Sequence, residues 1–551
     1  MTFELASFQD PALDAEYLDY LIEQESARTA GHYRRLWDYF RNPFVPAVGI
    51  AAGALNSNSR PYFQAQEAGL PARITGIQRS VAGDQPTDLQ RKEVVIENDI
   101  AWRVHTMVDF LFGKPATVRS LCGDRELAEI IERVLAHMLE ANGGTAFLQE
   151  LALFAGIYGF ADVVLRTPAG GEAVPPPVPP RPSAPPAAEA SSPDAARRSG
   201  PSDNNSSAPA LASQETRRGF AWTRSEPAIS RAMEAAGSLQ WETVEAPRVL
   251  PILADDDYRS VRYWVQKYHR HAARLEASKR SWLRMPWSSR RQAGPAVVEV
   301  VEILGAGWWQ RYEDRRLVAE GRNPLGRVPV VHVQNVALSG SYEGFSDVEP
   351  LIPLQDELNT RLSDRAHRVT YQSFKMYLGK GIDDFLERPV GPGQMWATHN
   401  LDASIEEFGS DDGSPSENIH IDDIRQAMDK VSGVTPLAAG LIRGNVGNLT
   451  SAAALRVVLS GLLARTAKKR LTFGAGLRQI CEMAMEWLGL TGALPTRRED
   501  RRVEIHWPDP LPADEAERLR NAQIKAQLGL PADRVLAELG YDRQALSAGP
   551  A

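Results

Sequence analysis

The segment 451–490 is the longest single element this sequence dictates. Leu455, Val458, Leu459, Leu462 and Leu463 recur at helical spacing, and the pattern runs nearly unbroken for about 39 residues, roughly 58 Å at 1.5 Å per residue. Directly before it, GLIRGNVGNLTS places Gly440, Gly444 and Gly447 ahead of a Thr-Ser pair, which at first suggests a phosphate cradle at a helix N-terminus. A Walker loop needs a lysine and a hydroxyl after its last glycine. Here Gly447 is followed by Asn448, and no lysine occurs between Lys430 and Lys468. A dinucleotide fold needs its glycines after a strand, whereas a helical pattern ending at Gly433 precedes these. The glycines are therefore expected to loosen a connection between two helices. Thr450 or Ser451 is the expected N-cap of the second, and Gly461, Gly474 and Gly476 are expected kink positions within it.

Other chemistry is excluded in the same way. The two cysteines, Cys122 and Cys481, lie far apart and read as small core residues. The ten histidines form neither HExxH nor HxH, and Asp356-Glu357 and Asp422-Asp423 are sequence neighbours that do not share a helix face. Asp255, Asp256 and Asp257 read as a solvated turn. No cofactor, metal or enzymatic activity is expected. No run of 18 apolar residues is present, and the acidic N-terminus lacks the pattern of an export signal. At 551 residues the chain exceeds the size of one ordinary core, so two or more domains, or a core divided between protomers, are expected.

Along the chain, residues 13–41 set Leu18, Leu21, Leu36 and Phe40 at helical spacing, ended by Asn42-Pro43. Ile100, Val104, Val108, Phe110 and Leu111 predict a second helix, broken at Gly113-Lys114-Pro115 before a short strand. Phe147, Leu148, Leu151, Leu153 and Phe154 predict a third, leading to a strand over 161–165. Residues 167–218 are Pro, Ala and Ser with almost nothing to bury, an expected disordered insertion. Strand-like pieces at 248–253, 260–268, 297–304 and 307–312 form a β meander. It is interrupted by a basic, aromatic segment from Lys279 to Arg291 that suits either an exposed loop or a nucleic-acid or protein contact. Farther on, Leu351, Leu354, Leu358, Leu362 and Val369 form a narrow apolar stripe on a helix otherwise filled by charges. Gly- and Pro-rich strand pieces, including MYLGKG and RPVGPGQMWAT, follow. Ile421, Ile424, Met428 and Val431 then predict a further helix.

This succession resembles the portal proteins of tailed bacteriophages, the head-to-tail connectors of the siphophage type. The likeness is carried by DFLFGKPATVRS, by NPLGRVPVVHVQN leading into SDVEPLIPLQDELNTRLSD, by the small β insertion and second helix, and by the glycine segment with its long helix. VEIHWPDPLPADEAERLRNAQIKAQLGLPADRVLAELGYD closes the order. The resemblance implies an α+β, mainly helical portal fold with one long kinked helix and a β-rich wing meander. Residues 1–345 would be the wing, with 167–218 its insertion; 346–373 the first stem helix; 374–410 the clip; and 417–433 the second stem helix. Residues 434–450 would be the tunnel loop, 451–490 the long wing and crown helix, 500–512 a strand returning to the wing, and 513–551 short crown helices.

It further implies a ring of about twelve copies at one capsid vertex of the virion, assembled in the host cytoplasm, through which double-stranded DNA passes during packaging and ejection. The implied partners are the terminase large subunit, the head-completion adaptor that replaces it, and the major capsid or scaffold protein. In the tunnel loop, Leu441, Ile442, Arg443, Gly444, Asn445, Val446, Gly447 and Asn448 are the candidate DNA-facing residues. Arg361 and Arg368 are stem candidates. Met395 and Trp396 are either partner anchors in the clip or the clip's own core. With −8 formal charges per chain, a ring of about twelve would carry roughly −96, and an acidic wall discourages phosphate adhesion. Alternatives are another ring-forming head or tail structural protein and a nucleotide-dependent DNA enzyme.

Overall fold

The computed structural model describes residues 3–11, 13–46, 62–75, 93–167, 224–272, 296–373, 376–380, 402–408, 415–440, 452–511 and 515–539. The expected Pro/Ala/Ser insertion, except its first residue Thr167, lies outside them, as do the basic, aromatic segment, most of the expected clip with Met395 and Trp396, and Leu441 to Asn448.

The chain opens with α1 (Ala15–Tyr20), capped by the Asp14 side chain, which accepts from Glu16 N, and α2 (Ser26–Arg41), joined by the π turn Leu21–Glu25. Asn42, in left-handed geometry at φ 47°, ends α2. Strands β1 (Phe44–Pro46) and β2 (Tyr62–Gln64) pair antiparallel, and the short α3 (Ala72–Thr75) follows. Next come α4 (Asp99–Phe112), capped by Asn98, β3 (Thr117–Ser120) and α5 (Arg125–Ala141), capped by Asp124. Then α6 (Gly144–Tyr158) runs into β4 (Phe160–Arg166). Past the insertion lie α7 (Glu226–Ser238), β5 (Gln240–Glu245), β6 (Val249–Leu253), β7 (Val261–Ala272), β8 (Ala296–Leu304), β9 (Trp308–Glu313), β10 (Arg316–Arg322) and β11 (Val330–Gln334). Helices α5 and α7 and strands β5 and β10 go beyond the elements expected from sequence. The periodicity of Leu127, Ile130, Ile131, Val134, Leu135 and Met138 behind the Asp124 cap is the signal that marks α5.

The remainder is α8 (Ile352–Ser373), the antiparallel pair β12 (Met376–Lys380) and β13 (Ser404–Phe408), and α9 (Pro415–Ser432). After the glycine segment come α10 (Ala452–Val458), α11 (Ser460–Leu490), β14 (Val503–His506), α12 (Glu515–Gln527) and α13 (Ala532–Leu539). Between α10 and α11, Leu459 leaves helical geometry at φ −90°, ψ 8°, while hydrogen bonds from Leu459 N to Leu455 O and from Leu463 N to Leu459 O bridge the break. Helix α11 continues through Gly474 and Gly476, two of the expected kink positions. At Gly476 the reason for glycine is packing, because a Cβ would lie 2.6 Å from Val333 Cγ2.

The meander forms a five-stranded antiparallel sheet in the order β10-β9-β8-β7-β6, and a second sheet has the order β11-β4-β5. Strand β4 is buried on both faces and so reads as an apolar run, interrupted by Asp162, rather than an alternating one. Ala161, Val163 and Leu165 join a core built with α4, α5, α6, α7 and α11; Phe160 and Val164 join another with α2, α8 and α9. Leu13, Leu18 and Ile22 cover the five-stranded sheet through Val265, Val301 and Ile303. Far along the chain, β14 returns to pair with β3, Val503 opposite Ser120 and His506 opposite Thr117. Cys481 is buried as expected. Cys122, in the stretch after β3, is half-buried and packs against the same core, with its thiol 3.3 Å from Asp500 Oδ1.

Candidate functional site: a helix pair and the flanks of a glycine segment

Helices α8 and α9 lie antiparallel. Arg368 pairs with Glu417, Arg365 Nη1 donates to Asn418 Oδ1 at 3.2 Å, and His420 Nε2 lies 3.4 Å from Glu357 Oε1, so residue numbers rise along one helix as they fall along the other. Leu358 and Leu362 meet Ile421, Ile424 and Met428 in one apolar seam. The expected stripe ends early, for Val369 is 53% exposed.

The charged remainder expected for α8 is corrected by a second buried face made of amides and hydroxyls. Gln355, Asn359 and Ser363, four residues apart, are all buried, and across them runs the extended segment 93–98. Asp99 N donates to Gln355 Oε1 (3.1 Å), Glu97 N to Asn359 Oδ1 (3.1 Å) and Val95 N to the Ser363 hydroxyl (3.0 Å). Gln355 Nε2 returns a bond to Glu97 O at 2.5 Å. The match is geometric: one helical turn of four residues advances about 6.0 Å, and two residues of extended chain advance about 6.6 Å. Every second amide of the strap therefore meets one side chain per turn, as it would meet a neighbouring strand. Gln66 extends the network, accepting from Asn359 Nδ2 at 2.9 Å and donating to Tyr39 O at 2.8 Å.

Both flanks of the glycine segment are anchored on α4. Arg103, almost fully buried, reaches Asp99 Oδ2 (3.3 Å), Asp429 Oδ1 (2.7 Å), the Ser432 hydroxyl (3.0 Å) and Val434 O (2.7 Å). It thereby holds the end of α9 and the residues leading to the 3-10 turn Pro436–Ala439. On the far side, Leu462 of α11 packs with Met107 and Val434. Lys469, also buried, pairs with Asp347 just ahead of α8, and Arg465 donates to Val431 O. Buried charges of this kind are tolerated only when paired, and each of these joins elements remote in sequence.

Among the expected site residues, Arg361 bonds Glu357 Oε1 at 2.7 Å and lies 3.7 Å from Asp364 Oδ2, while Arg368 is engaged by Glu417. Burial raises the Glu357 carboxyl, but hydrogen bonds from Arg361 and His420 outweigh it and leave that group below its ordinary range. Both arginines are thus neutralised within the chain itself. Arg103, Asp347, Lys469 and the Gln355-Asn359-Ser363 ladder were not singled out from sequence; only the ladder carries a local signal, its four-residue period. Among the described residues no group of three or more His, Cys, Asp or Glu side chains is arranged to hold a metal ion, and no helix is long and apolar enough to cross a membrane.

The chain thus carries an antiparallel helix pair bracketing the β12–β13 pair, then a glycine segment anchored at both flanks and a long helix crossing the core. The family model described as Phage portal protein, SPP1 Gp6-like, matches residues 228–539, and the chain belongs to that family. Among solved structures it is similar to a chain of the virion of the native gene transfer agent (GTA) particle, at 12% identity and TM-score 0.38, covering 80% of this chain and 90% of that one. A chain from the neck of an empty GTA particle computed with C6 symmetry is 11% identical, with TM-score 0.41 and the same coverages. No curated protein matches the chain.

Proposed function

We propose that this protein forms the ring-shaped channel at one capsid vertex of a virion and conducts double-stranded DNA, without sequence preference, during packaging and ejection. The observation that carries the reading is the α8–α9 pair with β12 and β13 between its helices, inside the stretch matched by the portal family. In this reading residues 1–345 are the wing and α8 and α9 the stem. The clip is 374–410, where the terminase large subunit and later the head-completion adaptor would dock, with Met395 and Trp396 as candidate anchors. The tunnel loop is 434–450, the long helix 451–490 runs through wing and crown, 500–512 returns a strand to the wing, and 513–551 form the crown; the wing faces the capsid or scaffold protein. A heterologous contact between neighbouring copies closes about twelve of them into a ring.

The anchoring of both loop flanks supports the tunnel-loop role of the segment between them. Because Arg361 and Arg368 already face carboxylates, Arg443 is the better first test of DNA contact. Arg443→Ala is expected to alter packaging or DNA retention in a salt-dependent way, and unchanged values for both would remove it from the channel. For the proposal as a whole, electron microscopy of the purified full-length chain is expected to show rings with a central hole. A monodisperse monomer with nucleotide turnover would overturn it.

A further inference from the structure

Asp162 and His332 are directly opposed across β4 and β11. Asp162 is fully buried, and its carboxylate accepts from Trp264 Nε1 at 2.7 Å and from the Tyr342 hydroxyl at 3.1 Å. The His332 ring sits between two acceptors: Nδ1 is 2.7 Å from Asp162 Oδ1, and Nε2 is 2.8 Å from the backbone oxygen of Tyr342. A neutral imidazole donates from one nitrogen only. With an ionised Asp162 it would turn a lone pair toward an oxygen, so both ring nitrogens are satisfied only when the pair holds one proton more than a carboxylate and a neutral imidazole.

The turn that leads into α8 is fastened beside this pair. Gln334 Nε2 donates to the oxygens of Ser341, Tyr342 and Glu343, Asn335 Nδ2 to Phe345 O, and the Ser346 hydroxyl to Ile157 O. Gly344 and Gly159 approach so closely that a Cβ at Gly159 would lie 2.3 Å from Gly344 O. The titratable groups facing the pair are Tyr342 and Glu343 from the turn and Tyr33 from α2, whose hydroxyl donates to Glu343 Oε1 at 2.7 Å. Among the described residues, the hydrogen-bond contacts of Asp162 are Trp264, Tyr342 and His332, and of these only His332 can carry a positive charge.

We propose that the Asp162–His332 pair is a proton-operated latch: singly protonated, it pins the 341–346 turn to the sheet, and loss of its proton releases the lead-in to α8. The latch is independent of the portal reading, since it concerns the seating of α8 within one chain. The test is hydrogen–deuterium exchange of the full-length protein, corrected for intrinsic amide rates, between about pH 5 and about pH 9, an interval that brackets imidazole titration. It follows the amides of Asn335, Phe345 and Asp347, which bond Gly159 O, Val336 O and Gly156 O.

Protection in the wild type is expected to fall about fivefold as pH rises, the exchange equivalent of one lost buried hydrogen bond. In Asp162→Asn the new amide donates to Nδ1 while Nε2 donates to the carbonyl, so a neutral His332 is satisfied and protection stays high throughout. His332→Gln has no titrating ring and is expected to show no step. A flat wild-type profile, or an equal step in Asp162→Asn, overturns the latch; these two proteins suffice should His332→Gln fail to fold. A merely structural histidine would lower protection in His332→Gln at every pH without a wild-type step.

Discussion

Replacing Asn359 by leucine tests the amide ladder of α8 with little change in volume. Asn359 Oδ1 accepts from Glu97 N (3.1 Å) and Gln355 Nε2 (3.0 Å), and its Nδ2 donates to Gln66 Oε1 (2.9 Å). Gln355 keeps its bond to Glu97 O, so two groups, Glu97 N and Gln66 Oε1, lose partners. Each orphaned buried group costs about 1–3 kcal/mol, or about 2–6 kcal/mol together, and burial of the leucine side chain offsets about 1.5–3 kcal/mol of that. The expected net destabilisation is about 1–3 kcal/mol, read by urea unfolding through tryptophan fluorescence. Exchange protection of the Glu97 amide is expected to drop at the same time. In a double-mutant cycle, Gln66→Leu with Asn359→Leu is expected to cost less than the sum of the singles by about 1 kcal/mol. An Asn359→Leu protein as stable as the wild type, with Glu97 still protected, would show that the strap does not depend on these side chains.

Arg103→Met keeps the length of the side chain but removes the cation from between Asp99 and Asp429 and the donor to Val434 O, and is expected to cost about 3–5 kcal/mol in denaturant unfolding. The two helix glycines are expected to part company in thermal melts. Gly476→Ala forces a Cβ to within 2.6 Å of Val333 and loses about 1–3 kcal/mol by overpacking. Gly474→Ala meets only Trp507, at 3.6 Å, and gains up to about 1 kcal/mol of helix propensity. Burial raises the Asp356 carboxyl above its ordinary range, the Tyr39 hydroxyl at 2.5 Å only partly opposing it. The native chain therefore binds more protons than the unfolded one just above the ordinary carboxylate range, and Asp356 contributes a loss of stability as pH rises there. Asp356→Asn is expected to flatten that slope in unfolding curves taken at successive pH values.

Local pattern determined a good deal of this protein. Periodicity alone located α4, α6, α8, α9 and the long helical run, because a half-buried helix must repeat its apolar residues every three to four positions whatever it packs against. The missing lysine after Gly447 removed the Walker-loop reading of that segment without any structure. The order of elements was enough to suggest the family. The expected wing, stem, clip and crown boundaries remain proposals, and Arg361 and Arg368 look the same in sequence whether they face solvent or a carboxylate.

Tertiary structure decided what one element does to another. Gln355, Asn359 and Ser363 read as solvent-facing polar residues until the strap at 93–98 lies over them. Arg103 reads as an ordinary surface cation until Asp429 and Val434, more than 300 residues away, close around it. Gly476 reads as a hinge until Val333 takes the space of its missing side chain. The physical reason is common to all three. Burial of apolar surface is non-directional and leaves a period that local sequence can display. A buried polar or ionic group is stable only with particular partners at hydrogen-bond distance, and where those partners lie is settled by the fold.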